Sequence, residues 1–228
     1  RVWHVPYDDR RNGNDEARAI ALDNLGFVSI TGRSEDSLSK TSPKHYDYYT
    51  IKYNPSTGSQ VWAARYDNNL QSADEATGIA VDSWGNVYVT GRSYGGTTTD
   101  FDYATIKYNS SGIQQWVARY NNINGADEAT AIAVDSAGNI YVTGRSQGGT
   151  TGFDYATIKY APDGSQLWVA RYNNINGADE ATAIAVDSAG NVYVTGRSQV
   201  QVSETGYDYA TIKYDSNGVE KWVQRYGN

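Results

Sequence analysis

The chain has 228 residues, no Cys, no Met and a formal net charge of −7 at pH 7. Without Cys there are no disulfides and no thiolate metal sites. The acidic balance argues against nucleic acid, which wants a basic stripe, and no apolar run approaches the ~20 residues that would allow insertion into a membrane. Nothing at Arg1 reads as a signal peptide, which leaves a mature, trimmed or intracellular chain.

The first element is a strand-like run at Trp3, a degenerate copy of the phrase Trp-Val-Ala-Arg-Tyr found at Trp116 and Trp168, with variants at Trp62 and Trp222. Asn14 to Phe27 is next, a loose copy of Ala126 to Asn139; Ala73 to Asn86 is closer, and Ala178 to Asn191 is identical. A further phrase, Asp-Tyr-Ala-Thr-Ile-Lys-Tyr, starts at Asp102, Asp154 and Asp208, with a variant at Asp47, giving spacings of 55, 52 and 54 residues. Self-similarity at a fixed period marks a repeat architecture.

The third copy shows the unit. Ala129 to Asp135 alternates, with Ala129, Ala131 and Ala133 predicted on one face and Ile132 and Val134 on the other; this period of two predicts strand A. Asp135 to Asn139 predicts a tight turn, and Ile140 to Thr143 predicts strand B. A Gly- and Thr-rich connector leads to strand C at Tyr155 to Tyr160, a turn at Ala161 to Gly164, and strand D at Trp168 to Tyr172. Four antiparallel strands repeated about every 50 residues predict an all-β fold, a β-propeller of four-stranded blades. The small A strand suits the centre, where blades converge, and the Trp-bearing D strand suits the outside. The chain then reads as a single propeller over 1–228, with repeat units at about 14–67, 73–120, 126–172 and 178–226 and an unmatched outer strand at 1–8.

These phrases, from Asp-Glu-Ala-Thr-Ala-Ile-Ala-Val-Asp-Ser-Ala-Gly-Asn through Asp-Tyr-Ala-Thr-Ile-Lys-Tyr to Gly-x-x-x-Trp-Val, resemble the SBBP-type β-propeller repeat of bacterial secreted and cell-surface proteins. The resemblance covers nearly the whole chain. It implies a propeller in a secreted or cell-surface setting, and it carries no general enzymatic activity. The first copy departs most: Pro6 replaces the strand-D Arg, Phe27 to Ile30 replaces the usual B strand, and the B–C connector is longer.

Catalytic motifs are absent: there is no His-Glu-x-x-His, phosphate loop or Gly-x-Ser-x-Gly, and His4 and His45 stand only in the first copy. The expectation is a chain that is not an enzyme. The candidate binding residues are the pairs Asp15-Glu16, Asp74-Glu75, Asp127-Glu128 and Asp179-Glu180, each just before strand A, where a closed ring would bring them towards the channel mouth. Asp15, Asp74, Asp127 and Asp179 are the candidate metal ligands, for Ca²⁺ as a cation seeking oxygens. The competing reading pairs these carboxylates with backbone N–H groups or with Arg33, Arg92, Arg145 and Arg197 of the Thr-Gly-Arg-Ser phrase.

Repeated Lys52, Lys107, Lys159 and Lys213 and Arg65, Arg119, Arg171 and Arg225 read either as an anion groove or as solvated or paired cations. The repeated Trp residues read as inter-blade packing or as sugar platforms. Trp84 stands where two other copies have Ala, so it is expected exposed and is a further candidate contact residue.

The B–C connectors differ in every copy (Glu35 to Tyr46, Tyr94 to Phe101, Gln147 to Phe153, Gln199 to Tyr207) and share a face with the Asp-Glu pairs. The expected function is a non-catalytic binding or structural module that offers this loop face to a protein or glycan. The alternatives are a propeller hydrolase or lyase with carboxylates at the channel mouth, or an engineered or excised fragment without independent function. Five D-like strands against four sets of A, B and C leave the run at Trp3 without a blade. A homo-oligomer or part of a larger ring is therefore expected over a self-contained four-bladed ring.

Overall fold

The computed structural model describes residues 13–35, 45–68, 72–96, 100–123, 125–149, 152–174, 177–200 and 206–227. The strand expected at Trp3 lies outside them, as does much of the longer B–C connectors. Sheet 1 holds β1 (Asp15–Leu22), β2 (Val28–Glu35), β3 (Tyr46–Tyr53) and β4 (Gln60–Tyr66). Sheet 2 holds β5 (Asp74–Val81), β6 (Val87–Gly96), β7 (Asp100–Tyr108) and β8 (Gln114–Tyr120). Sheet 3 holds β9 (Asp127–Val134), β10 (Ile140–Gln147), β11 (Phe153–Tyr160) and β12 (Gln166–Tyr172). Sheet 4 holds β13 (Asp179–Val186), β14 (Val192–Gln199), β15 (Tyr207–Tyr214) and β16 (Glu220–Tyr226).

Each sheet is an antiparallel meander in chain order, and the described residues contain no helix. The first strands of successive sheets pack on one another, β1 on β5, β5 on β9 and β9 on β13, so the Ala-rich strands do form the inner edge. The turns explain their own sequences. Asp135 Oδ1 accepts from the N–H of Ala137 and of Asn139, both at 2.9 Å, while Oδ2 accepts from the Asn139 amide and the Tyr141 hydroxyl. Gly138 closes the turn at φ +82°, a conformation that disfavours any Cβ.

The predicted alternation of strand A needs correction. In β9 the register slips between Ala129 and Ala131, leaving Thr130 in a bulge. A bulge reverses the facing of every residue before it. Ala129 therefore joins the face of Ile132 and Val134, and only Ala131 and Ala133 stay opposite. The same slip occurs in β1, β5 and β13. It brings the strand-A backbone against Gly144 of β10, where a Cβ would overlap the Glu128 carbonyl oxygen. That is a sufficient reason for Gly in Thr-Gly-Arg-Ser.

Three buried clusters are three sheet-to-sheet joints of one design. Each sheet turns an aliphatic face towards the preceding sheet and an aromatic face towards the next. Between sheets 3 and 4, Tyr141, Tyr155, Trp168 and Tyr172 meet Ala181, Val192, Val194, Ala210 and Ile212. Tyr88, Tyr103 and Trp116 meet Ala129, Ile140, Val142, Ala156 and Ile158 in the same way, and Tyr48, Trp62 and Tyr66 meet Ala76, Val87, Val89, Ala104 and Ile106. Polar tips of the aromatic face reach across the joint, Tyr155 donating to the Ala210 carbonyl at 3.3 Å and Trp168 Nε1 to the Ser216 carbonyl at 3.1 Å, whereas the hydroxyls of Tyr108, Tyr160 and Tyr214 on the receiving faces are buried without a hydrogen-bond partner. Of the residues expected in the core, Ile140, Val142 and Ile158 are fully buried, whereas Ile132, Val134 and Trp168 are half-buried.

Two substitutions test the joint. Trp168→Ala is expected to cost ~3 kcal/mol, the low end of the range for a large aromatic because the ring is half-buried. Gly144→Ala is expected to cost ~2–3 kcal/mol through overpacking at the bulge. Urea unfolding measures both, and a loss under 1 kcal/mol for Trp168→Ala would mean that the indole adds little to the joint.

Candidate functional site

The end of the sheets that carries the B–C and D–A connections holds two repeated networks. The first is a ladder of alternating charges. Glu16 pairs with Arg33 at 2.9 Å, Arg33 with Glu75 at 3.2 Å, Glu75 with Arg92 at 3.0 Å and Arg92 with Glu128 at 3.5 Å. Glu128 then pairs with Arg145 at 2.9 Å, Arg145 with Glu180 at 3.4 Å and Glu180 with Arg197 at 2.9 Å. Arg33, Arg92 and Arg145 thus each bridge their own sheet to the next, and Arg197 ends the series on its own sheet. Arg33, Arg92, Arg145 and Arg197 also lie over Tyr46, Phe101, Phe153 and Tyr207, 4.5–4.7 Å from the ring centroids. Burial alone would raise Glu75, but Arg92, Arg18 and Arg33 outweigh it and hold this carboxyl below its usual range.

The second network holds the other half of each pair. Asp74, Asp127 and Asp179 are fully buried. Each accepts a backbone N–H from the preceding connection: Asn68 at 3.1 Å, Asn122 at 2.8 Å and Asn174 at 2.7 Å. The Oδ1 atoms of Asp15, Asp74, Asp127 and Asp179 are buried without a hydrogen-bond partner of good geometry. Burial pushes Asp74 and Asp127 up to about 6, offset in part by the Ser93 and Ser146 hydroxyls, and raises Asp179 as well. The strand-D arginines sit close by but pair with strand C: Arg119 with Asp102 at 2.8 Å, Arg171 with Asp154 at 2.7 Å and Arg225 with Asp208 at 3.2 Å. They also donate to tyrosine hydroxyls of the preceding sheet, as Arg171 does to Tyr120 at 3.1 Å.

The structure therefore splits each predicted pair. The Glu residues enter the ladder and the Asp residues go under it. Among the described residues, the carboxylates close enough to share a cation are Asp47, Asp67 and Asp74, with ligand atoms within 4.8 Å of one another. This group joins one predicted ligand, Asp74, to two residues that sequence reasoning passed over; it does not unite Asp15, Asp74, Asp127 and Asp179. Asp47 already has a counter-charge in Arg65 at 2.5 Å. Asn121 and Asn173 stand where Asp67 stands, so the three-carboxylate group belongs to one joint. The available signal was that Asp47 opens the same phrase in every copy.

The remaining candidates lie elsewhere. Trp84 is 63% exposed and sits in the A–B turn, at the opposite end from the Asp-Glu pairs. Three of the strand-C lysines are engaged within the protein: Lys52 pairs with Asp23 at 2.9 Å, and Lys107 and Lys159 donate to the Pro162 and Ser216 carbonyls of the next sheet.

This is the geometry of a β-propeller, built as four antiparallel blades with repeated joints. The chain carries the SBBP-type repeat: a family described as beta-propeller repeat matches residues 69–96, 115–150 and 167–201. No curated protein matches the chain. Among solved structures, a protein of unknown function from Dyadobacter fermentans superposes with a TM-score of 0.62 at 10% identity, over 92% of this chain and 68% of that one. A protein of unknown function from Bacteroides caccae gives 0.48 at 11% identity, over 98% and 85%. A gluconolactonase from Xanthomonas campestris gives 0.46 at 12% identity, over 79% of this chain and 54% of that enzyme.

Two outcomes are expected. A carboxyl raised in the folded state is penalised once ionised, so its cost is absent below the ordinary value near 4 and is felt in full above about 6. Asp127→Asn should therefore gain roughly 1–2 kcal/mol at pH 7.5 and almost nothing at pH 4, read from denaturant melts at both values. A chelator should leave the melting temperature unchanged because Arg65 already balances Asp47; a fall of several degrees that Asp67→Asn abolishes would place a cation at Asp47, Asp67 and Asp74.

Proposed function

We propose that this chain is a non-catalytic binding or structural propeller of a secreted or cell-surface protein, and that its B–C/D–A face meets a protein or glycan. The observation that carries the reading is the contrast at that end. The Glu and Arg residues beneath it repeat the same pairs from sheet to sheet, while the connectors above differ in length and sequence in every copy. A repeated, cross-linked platform under variable loops is suited to recognition. Acid–base chemistry needs unlike groups that reach a substrate; here the carboxyls raised by burial, Asp74 and Asp127, lie fully buried under the ladder. The secreted or cell-surface setting rests on the resemblance of the repeat.

The test replaces the other three B–C connectors with the Gln147 to Phe153 sequence and screens parent and variant on a glycan array. The expected result is a ligand held by the parent and lost from the variant, with the melting temperature retained. Release of product from a bound glycan, abolished by Glu128→Gln, would favour the propeller hydrolase or lyase instead.

A further inference from the structure

Sheet 1 has no preceding sheet and sheet 4 no following sheet among the described residues, so one face of each is left over. The aliphatic face of sheet 1 carries Ile20 and Leu22, 67% and 65% exposed, at the positions of Ile132 and Val134. A groove of about 380 Å³ runs along it, lined by Ala17, Ile20, Val28, Ile30 and Ile51. The aromatic face of sheet 4 carries Tyr209 and Tyr226, 69% and 70% exposed, whereas their counterparts Tyr155 and Tyr172 in sheet 3 are 0% and 9% exposed. Trp222 is likewise 38% exposed.

These faces are the two halves of the joint already made three times within the chain. The charge ladder ends in the same complementary way. Arg197 pairs with Glu180 of its own sheet and its side chain is 50% exposed, against 29% for Arg145, which reaches a second Glu on the next sheet. At the other end, Glu16 is 49% exposed, against 4% for Glu75 and 18% for Glu128. A third set agrees: Thr77 and Thr130 donate across their joints to Ala129 and Ala181 carbonyls at 2.7 Å, whereas Thr182 bonds only within its own sheet. The Ala17 carbonyl holds the matching acceptor position on sheet 1. Tyr49 lines the groove where the other sheets have Ala, so the new joint is a close relative of the other three and not a duplicate.

We infer that two copies of this chain join head to tail, the aromatic face of sheet 4 in one copy seating on the aliphatic face of sheet 1 in the other, twice. Two copies place eight sheets in the ring, within the four to eight blades that propellers use. A two-fold arrangement of head-to-tail contacts closes on itself and covers both faces, whereas an unclosed one would run on as a filament. The occupant of each face is thus a second copy of this chain, selected by the same aromatic-to-aliphatic fit and by Arg197 meeting Glu16. The inference is independent of the binding role proposed above, because it uses the flanks of the sheets and not the loop face.

The experiment is light scattering on purified protein from 1 to 100 μM. The parent is expected at twice the mass of one chain. Ile20→Arg breaks the aliphatic half and Tyr209→Arg the aromatic half; both residues are largely exposed within one chain, so each variant should keep its melt and run at the mass of one chain, with association at least 100-fold weaker. Mixed in equal amounts, the two variants retain one intact joint and should associate again. If either variant fails to fold, Leu22→Arg and Trp222→Arg provide a second pair. A parent that keeps the mass of one chain throughout, a dimer that survives both substitutions, a mixture that does not associate, or a mass that keeps growing with concentration would each overturn the two-copy ring.

Discussion

An aromatic face seated on an aliphatic one is the contact on which everything else in this molecule depends. Tyr and Trp bring large apolar areas together with a polar tip that usually finds a partner once buried. The tips of Tyr48, Tyr103 and Tyr155 find it in strand-C carbonyls of the next sheet, at 3.2–3.3 Å. The opposing face has to be shallow where the rings enter, so Ala76, Ala104, Ala129 and Ala156 occur there. The glycines of the C–D turns in sheets 2, 3 and 4 belong to the same fit: the Trp62 indole lies on Gly112, the Trp116 indole on Gly164 and the Trp168 indole on Gly218, close enough that a Cβ would collide. Small residues at these positions are thus the counter-shape of the aromatic side chains one sheet away.

The strands, their order and the meander were legible because period-two alternation and Asx-type turns act locally. Asp135, Gly138 and Asn139 dictate their turn without help from the rest of the molecule. The bulge at Thr130 was not legible. It is defined by the partner strand, and nothing in Ala-Thr-Ala marks which residue will lie outside the register. That one slip decides the fate of the preceding pair. Asp127 and Glu128 are neighbours of similar chemistry, and only the facing set by the bulge sends one under the joint and the other into the ladder. The location of a charged band at this end was readable from the repeat; its division into two networks was not.

The two networks carry charge in opposite ways. Glu75 sits among Arg18, Arg33 and Arg92, and attraction exceeds the cost of leaving water. Asp74 faces burial, with Asp47 and Asp67 near enough to oppose a further negative charge. The ladder spans neighbouring sheets and all of its side chains except Glu75 remain partly exposed, so each rung contributes modestly and the series acts mainly to fix the relative orientation of the blades.

The near-identity of sheets 3 and 4 has a kinetic side. β9 could pair as well with β14 as with β10, because the strand sequences are almost the same. What separates the outcomes is the length of chain to be closed: the five residues 135–139 for the native hairpin, against the 57 residues 135–191 for the swapped one. The entropy of closing the longer loop disfavours the swap by about 2 kcal/mol, a margin that exists only because the connection is a tight turn. Lengthening Asp135 to Asn139 with a flexible insert would erode it, and the hairpin would begin to trade partners while every native contact of the folded blade stayed available.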